Sequence, residues 1–113
     1  MKKSFKEQFQ HNVRHYGTDT AAVDSARRLS YAELDRLSGQ IAGVLKRKGI
    51  GRESVVALDL PRSVEYIAAE LAVIRAGAAF VPLDPGLPES RKAYILEDCG
   101  CWLTLAREVG AAA

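Results

Sequence analysis

Three glycines constrain this chain more than any other feature. Gly49, Gly77 and Gly100 each end a segment with helical apolar spacing, and each is followed within a few residues by a short apolar run. Glycine enters the left-handed backbone region without steric cost, which makes it a common helix stop. A chain that stops a helix and then starts a strand three times in succession is built from helix-then-strand units. Such alternation predicts an α/β fold whose strands form a mostly parallel sheet with right-handed crossovers.

The first unit opens on Ser30-Tyr31-Ala32-Glu33, a capping box in which the serine hydroxyl and the glutamate carboxylate each take a backbone amide. Leu34, Leu37, Ile41, Val44 and Leu45 then form an apolar stripe opposite Asp35, Arg36, Gln40, Lys46 and Arg47. After a loop over 49–53, the run 54–60 is apolar on both faces and β-branched, as a buried parallel strand requires, and Pro61 ends it. Ser63 caps a second helix over 64–76, which Ala69, Ala72 and Val73 make apolar nearly all round and therefore more buried than the first. A strand over 78–83 follows, then a turn at Asp84-Pro85-Gly86, a third helix over 88–99 and a short strand over 101–105.

The first 29 residues differ. Residues 4–16 predict a polar helix with Phe5, Phe9, Val13 and Tyr16 as its stripe. The segments 21–24 and 27–29, flanking Ser25-Ala26, predict a small hairpin leading into the capping box. At the other end, residues 107–113 carry neither stop signal nor polar cap and are expected to fray.

With 113 residues, 48% of them hydrophobic, the chain has room for one compact domain and no second. Lys+Arg 16 against Asp+Glu 14, with the signs interspersed, leaves no basic face for nucleic acid. The apolar stretches are broken by Glu70, Arg75 or Asp84, far short of the ~20 residues a membrane span needs. The polar start after Met1 argues against a secretion signal. Cys99 and Cys101 are too close together to staple a fold and read as reduced thiols, so a cytoplasmic location is expected.

Candidates for chemistry are few. Asp59 and Asp84 fall at strand carboxyl ends, where open α/β sheets bind ligands, and a pair of aspartates there could hold magnesium. The simpler reading gives each a local role as a turn or cap acceptor. Gly49-Ile50-Gly51 follows a helix and has no lysine after it, so it is a helix stop rather than a phosphate cradle. His11 and His15, four apart, share a helix face and could ligate a transition metal; without a third ligand they read as a solvated pair. None of Ser25, Ser30, Ser38, Ser54, Ser63 or Ser90 sits in a nucleophile elbow. From the residues alone, no catalytic, cofactor-binding or metal site is assigned.

Leu29-Ser30-Tyr31-Ala32-Glu33-Leu34 resembles the first core motif of the amino-acid adenylation domains of nonribosomal peptide synthetases, members of the adenylate-forming, AMP-binding superfamily. Ile74-Arg75-Ala76-Gly77-Ala78-Ala79-Phe80-Val81-Pro82-Leu83-Asp84-Pro85 resembles their second, in the same order and at the usual separation. The segments 4–9, 61–65, 88–91 and 97–100 resemble the stretches around those motifs, so the likeness covers residues 4 to about 106. Phe80 stands where the family often has tyrosine, and the Ala-rich end departs from its pattern.

The resemblance implies a partial N-terminal subdomain of the adenylate-forming fold over 4–106. It implies a parent reaction in which an amino-acid carboxylate attacks the α-phosphate of ATP, giving an aminoacyl adenylate and pyrophosphate, before transfer to a carrier-protein thiol. ATP and magnesium serve the complete domain; its phosphate loop, substrate pocket, ribose-binding aspartate and catalytic lysine all lie later in the family's sequence. This segment is therefore expected to be scaffold, inactive alone and without bound cofactor. Its implied partners are the remainder of the domain or a complementing chain, and in the parent a carrier protein and a condensation domain. The alternatives are a free-standing α/β docking module and, last, a small magnesium enzyme using Asp59 and Asp84. An open sheet edge at 101–105, with Trp102 exposed, is expected to favour self-association.

Overall fold

The computed structural model describes residues 4–101 and 103–105. Helix α1 (Phe5–Tyr16) leads into an antiparallel hairpin of β1 (Thr20–Val23) and β2 (Arg28–Ser30), followed by α2 (Tyr31–Arg47), β3 (Val55–Leu58), α3 (Val64–Arg75), β4 (Ala79–Pro82), α4 (Glu89–Asp98) and β5 (Leu103–Leu105). The expected order of elements stands, with each predicted strand of the main sheet one or more residues shorter at its ends. The frayed tail expected at 107–113 and the exposure expected of Trp102 lie outside the described residues.

The three glycine stops share one geometry. Gly49, Gly77 and Gly100 have φ of 84°, 83° and 65°. At each, the next residue's amide reaches back over the last turn: Ile50 to the Leu45 carbonyl at 3.0 Å, Ala78 to Val73 at 3.1 Å and Cys101 to Leu96 at 3.2 Å. This is the Schellman closure, formed at all three helix ends. The capping box at Ser30 forms in full: the Glu33 amide donates to Ser30 Oγ at 3.1 Å and the Ser30 amide to Glu33 Oε1 at 2.8 Å.

The sheet has the order β4-β3-β5, all parallel, with Val56 beside both Phe80 and Leu103. Because β4 and β5 flank β3 on opposite sides, right-handed crossovers put α3 on one face and α4 on the other. The main core lies on the α3 side, where Val56, Leu58, Phe80, Leu103 and Leu105 join Ala68, Ala69, Leu71, Ala72 and Val73 of α3 and Leu34, Ile41 and Leu45 of α2. Strand alternation turns Ala57 and Thr104 to the other side. There, Lys92 is the one α4 residue that is buried, with Ile95 and Leu96 half-covered.

Two stripes are narrower than their spacing predicts. Phe9 is buried in α1, but Tyr16 is 51% exposed; in α2, Leu34, Ile41 and Leu45 are buried while Val44 is 37% exposed. Tyr16 is the last residue of α1 and Val44 lies at the edge of the α2 stripe, so neither meets a neighbouring layer. Among the described residues, no helix is long and apolar enough to cross a membrane.

Candidate functional site

The carboxyl end of the sheet is where this architecture places ligands. Asp59 leaves β3 with its amide donating to the Leu105 carbonyl at 2.8 Å, which ties the ends of β3 and β5 together. Its side chain turns to the α4 face and meets Lys92, whose Nζ stands 3.2 Å from both carboxylate oxygens. Glu89 Oε1 is 3.8 Å from the same ammonium. Only 10% of the Lys92 side chain and 23% of the Asp59 side chain reach solvent. The local role expected for Asp59 is thus corrected: its partner comes from α4, three elements further on, because the crossover lays α4 over the end of β3.

Asp84 does act locally. Its Oδ1 accepts from the Gly86 amide at 2.8 Å and its carbonyl from the Leu87 amide at 3.0 Å, closing the turn between β4 and α4. The two aspartates are therefore spent separately, one on an ammonium and one on a turn. Among the described residues, no three His, Cys, Asp or Glu side chains gather as a metal site.

The amino terminus of α3 is the other place where an anion could bind, since its first amides point outward with the helix dipole behind them. Two of those donors are taken. The Val64 amide donates to Asp24 Oδ2 at 2.8 Å, and the Tyr66 amide to Ser63 Oγ at 3.2 Å. Asp24 also accepts the Ala26 and Arg27 amides on Oδ1, at 2.7 and 2.9 Å. These backbone bonds, that of Val64 foremost, hold its carboxyl below the usual aspartate range. Alongside, Arg27 and Glu65 pair at 2.6 Å, so hairpin and helix are joined twice. Pro61, Pro85 and Pro88 further remove amides from both strand-to-helix junctions. These residues do not fit ATP or magnesium: the Asp24, Asp59 and Asp84 carboxylates are committed, and the Val64 and Tyr66 amides are already bonded.

The remaining candidates are similarly placed. Gly49-Ile50-Gly51 forms the helix stop described above, with Ile50 buried. Cys99 and Cys101 are free thiols bonded to the carbonyls of Leu96 at 3.5 Å and Leu103 at 3.1 Å. Burial, and then the neighbouring Cys101 thiol, push the Cys99 thiol up, which makes it a poorer nucleophile. His11 and His15 do come together, their ring centroids 4.3 Å apart.

One polar cluster escaped the sequence reading. Asp35, placed by periodicity on the outer face of α2, is half-buried beneath Arg75 of α3. One guanidinium nitrogen lies 2.8 Å from the Asp35 carbonyl, 3.0 Å from Asp35 Oδ1 and 2.9 Å from Ser38 Oγ. Gln10 of α1 donates to the same carboxylate at 3.3 Å, so three helices meet at Asp35. The signals were an arginine in an apolar helix and a fully buried serine, Ser38, in an apolar stripe. Further along α3, burial pushes the Glu70 carboxyl up.

The site is thus a set of joints between elements, and among the described residues no nucleophile and base are brought together. The model of the AMP-binding enzyme family matches residues 9–113, and the chain belongs to that family. Within it, surfactin synthase subunit 1 of Bacillus subtilis (strain 168) is 46% identical over 83% of this chain, and bacitracin synthase 2 of Bacillus licheniformis 40% identical over 91%. The chain resembles the N-terminal portion of a nonribosomal peptide synthetase adenylation domain, and spans 3% and 4% of those two relatives. The N-terminal subdomain of Klebsiella oxytoca NpsA in complex with anthranilyl-AMSN shares the fold, with a TM-score of 0.86 at 24% identity over 94% of this chain and 28% of that one.

Proposed function

We propose that this segment is scaffold for amino-acid activation: it builds the opening α/β layer of an adenylation domain and contributes no catalytic, cofactor-binding or metal-binding group to the reaction. The complete domain would join an amino acid to ATP, release pyrophosphate and pass the aminoacyl group to a carrier-protein thiol, with ATP and magnesium held by residues outside this chain. The observation that carries the reading is the strand-to-helix junction, where Asp59 is neutralised by Lys92 and the α3 amides are capped by Asp24 and Ser63. A phosphate arriving there would compete with Asp24 and Ser63 for the Val64 and Tyr66 amides and with Asp59 for the Lys92 ammonium. The working unit is residues 4–106, cytoplasmic, with the remainder of the domain or a complementing chain as its immediate partner, and the edge at β5 as the place of contact. NpsA-ThdA, an artificially fused adenylation-PCP di-domain of the same class, has the same fold over 92% of this chain, which supports a carrier protein as the partner of the whole.

The test is amino-acid-dependent pyrophosphate exchange. The 113 residues alone are expected to give none, and to support exchange when supplied with the rest of an adenylation domain. Exchange from the chain alone overturns the proposal.

A further inference from the structure

The glycine stop at the end of α4 has what the other two lack, a thiol on each side of the glycine. Cys99 caps the helix and Cys101 follows Gly100, whose φ is 65°. A residue in the left-handed helical region holds the Cα atoms of its two neighbours as close as a helix of either hand does, about 5.4 Å from the helix radius and rise. That falls within the range of about 4.4–6.8 Å that a disulfide spans, whereas an extended residue would set them at or beyond its upper limit. The Cys101 amide, bonded to the Leu96 carbonyl at 3.2 Å, keeps the bend closed. Both thiols are half-buried, Cys99 Sγ donating to the Leu96 carbonyl at 3.5 Å and Cys101 Sγ to that of Leu103 at 3.1 Å. After burial, the Cys101 thiol is what pushes the Cys99 thiol up, as a charge and as a hydrogen-bond partner, so the two sulfurs are direct neighbours. A disulfide across one residue removes little chain entropy from the unfolded state, which suits a redox-responsive bond rather than a staple.

We propose that Cys99-Gly100-Cys101 is an oxidisable dithiol site, converted to an intrachain disulfide by a low-molecular-weight disulfide of the glutathione class. The Cys101 thiolate attacks one sulfur of the oxidant, forming a mixed disulfide and expelling one glutathione thiolate. The Cys99 thiolate then attacks the Cys101 sulfur, closing the ring and expelling the second. The two thiols give up two protons and two electrons, and the oxidant leaves as two thiols that take both up. Once Cys101 is in the mixed disulfide it carries no charge to oppose the Cys99 thiolate, so the second step is relieved of that neighbour. Oxidation removes the S–H donors from the Leu96 and Leu103 carbonyls; Leu103 pairs with Val56, so the change falls at the start of β5. Neither thiol takes part in the joints on which the adenylation reading rests, so the two can fail separately.

The test equilibrates the full 113-residue chain in glutathione buffers of increasing disulfide fraction, quenches with acid and measures the intact mass. The native chain is expected to lose two hydrogens and carry no glutathione, and to regain both hydrogens on return to reduced glutathione. Cys99→Ser and Cys101→Ser, each left with one thiol, are expected to stop at a mixed disulfide with a single glutathione. A native chain that stays a dithiol in the most oxidising buffer, that retains bound glutathione, or that links to a second copy overturns the proposal. Circular dichroism of the two variants, expected to match the native chain, separates loss of the partner thiol from loss of structure.

Discussion

The two faces of the β4-β3-β5 sheet are closed in different ways. On one, Val56 and Leu58 are fully buried under α3 in an apolar contact, with α2 packed beyond it. On the other, where Ala57 faces, Ile95 and Leu96 of α4 are only half-buried, and the one buried side chain of α4 is a lysine paired with Asp59. The first face derives its stability from area removed from water. The second depends on a charge pair whose desolvation offsets much of its attraction, so it orients α4 more than it stabilises it. A helix held by geometry rather than by area suits a scaffold whose second face serves as a joint.

The contrast can be broken most sharply by truncating one leucine on each side. Leu58→Ala is expected to cost about 2–5 kcal/mol, and half-exposed Leu96→Ala no more than about 1.5 kcal/mol. Equal shifts in denaturant midpoint would erase the distinction between the faces.

The next effect is asymmetric. Asp59→Ala leaves the ammonium of Lys92 buried without its partner, at an expected cost of about 1–3 kcal/mol given the partial exposure of the pair. Lys92→Met is expected to cost less, because Asp59 is the more exposed member and water can replace the lysine. Equilibrium unfolding of the two variants checks the order; a costlier Lys92→Met would mean that α4 is held by the ion pair itself.

A smaller effect is expected on the apolar side, where Ser30→Ala removes the α2 cap at about 1 kcal/mol. Thermal unfolding reads it, and a change within error would show that packing alone sets the start of that helix.

The acid dependence of the Asp24 clasp sharpens the comparison from another direction. Asp24 titrates below 3.8 when folded, so its contribution is present above that value and is lost as the pH falls through the lower folded one. The stability gap between the native chain and Asp24→Asn should therefore be open at neutral pH and close on acidification. Urea unfolding between pH 7 and pH 2 tests this, and a gap that is constant with pH would remove the clasp.

Much of this architecture is legible in the sequence because it rests on local rules. Helix stops at Gly49, Gly77 and Gly100, the Ser30–Glu33 box and the Ser63 cap are fixed by residues within a few positions of one another, and all of them form. The joints are not local. Lys92 to Asp59, Arg75 to Asp35 and Asp24 to Val64 span 33, 40 and 40 residues, and each needs the crossovers in place before the partners meet. That is why Asp59 and Asp84 look alike in sequence yet one serves another helix and the other its own turn. It is also why spacing places Tyr16 and Val44 in apolar stripes although the fold leaves both exposed.

The central claim is that these residues shape an adenylation domain without choosing its substrate. The most direct measurement replaces the matching segment of the surfactin synthase subunit 1 relative with residues 9–105 of this chain and compares pyrophosphate exchange across amino acids. The account predicts exchange with the recipient's own amino-acid preference. A chimera that folds and exchanges with a different preference would contradict it, since the segment would then carry substrate recognition.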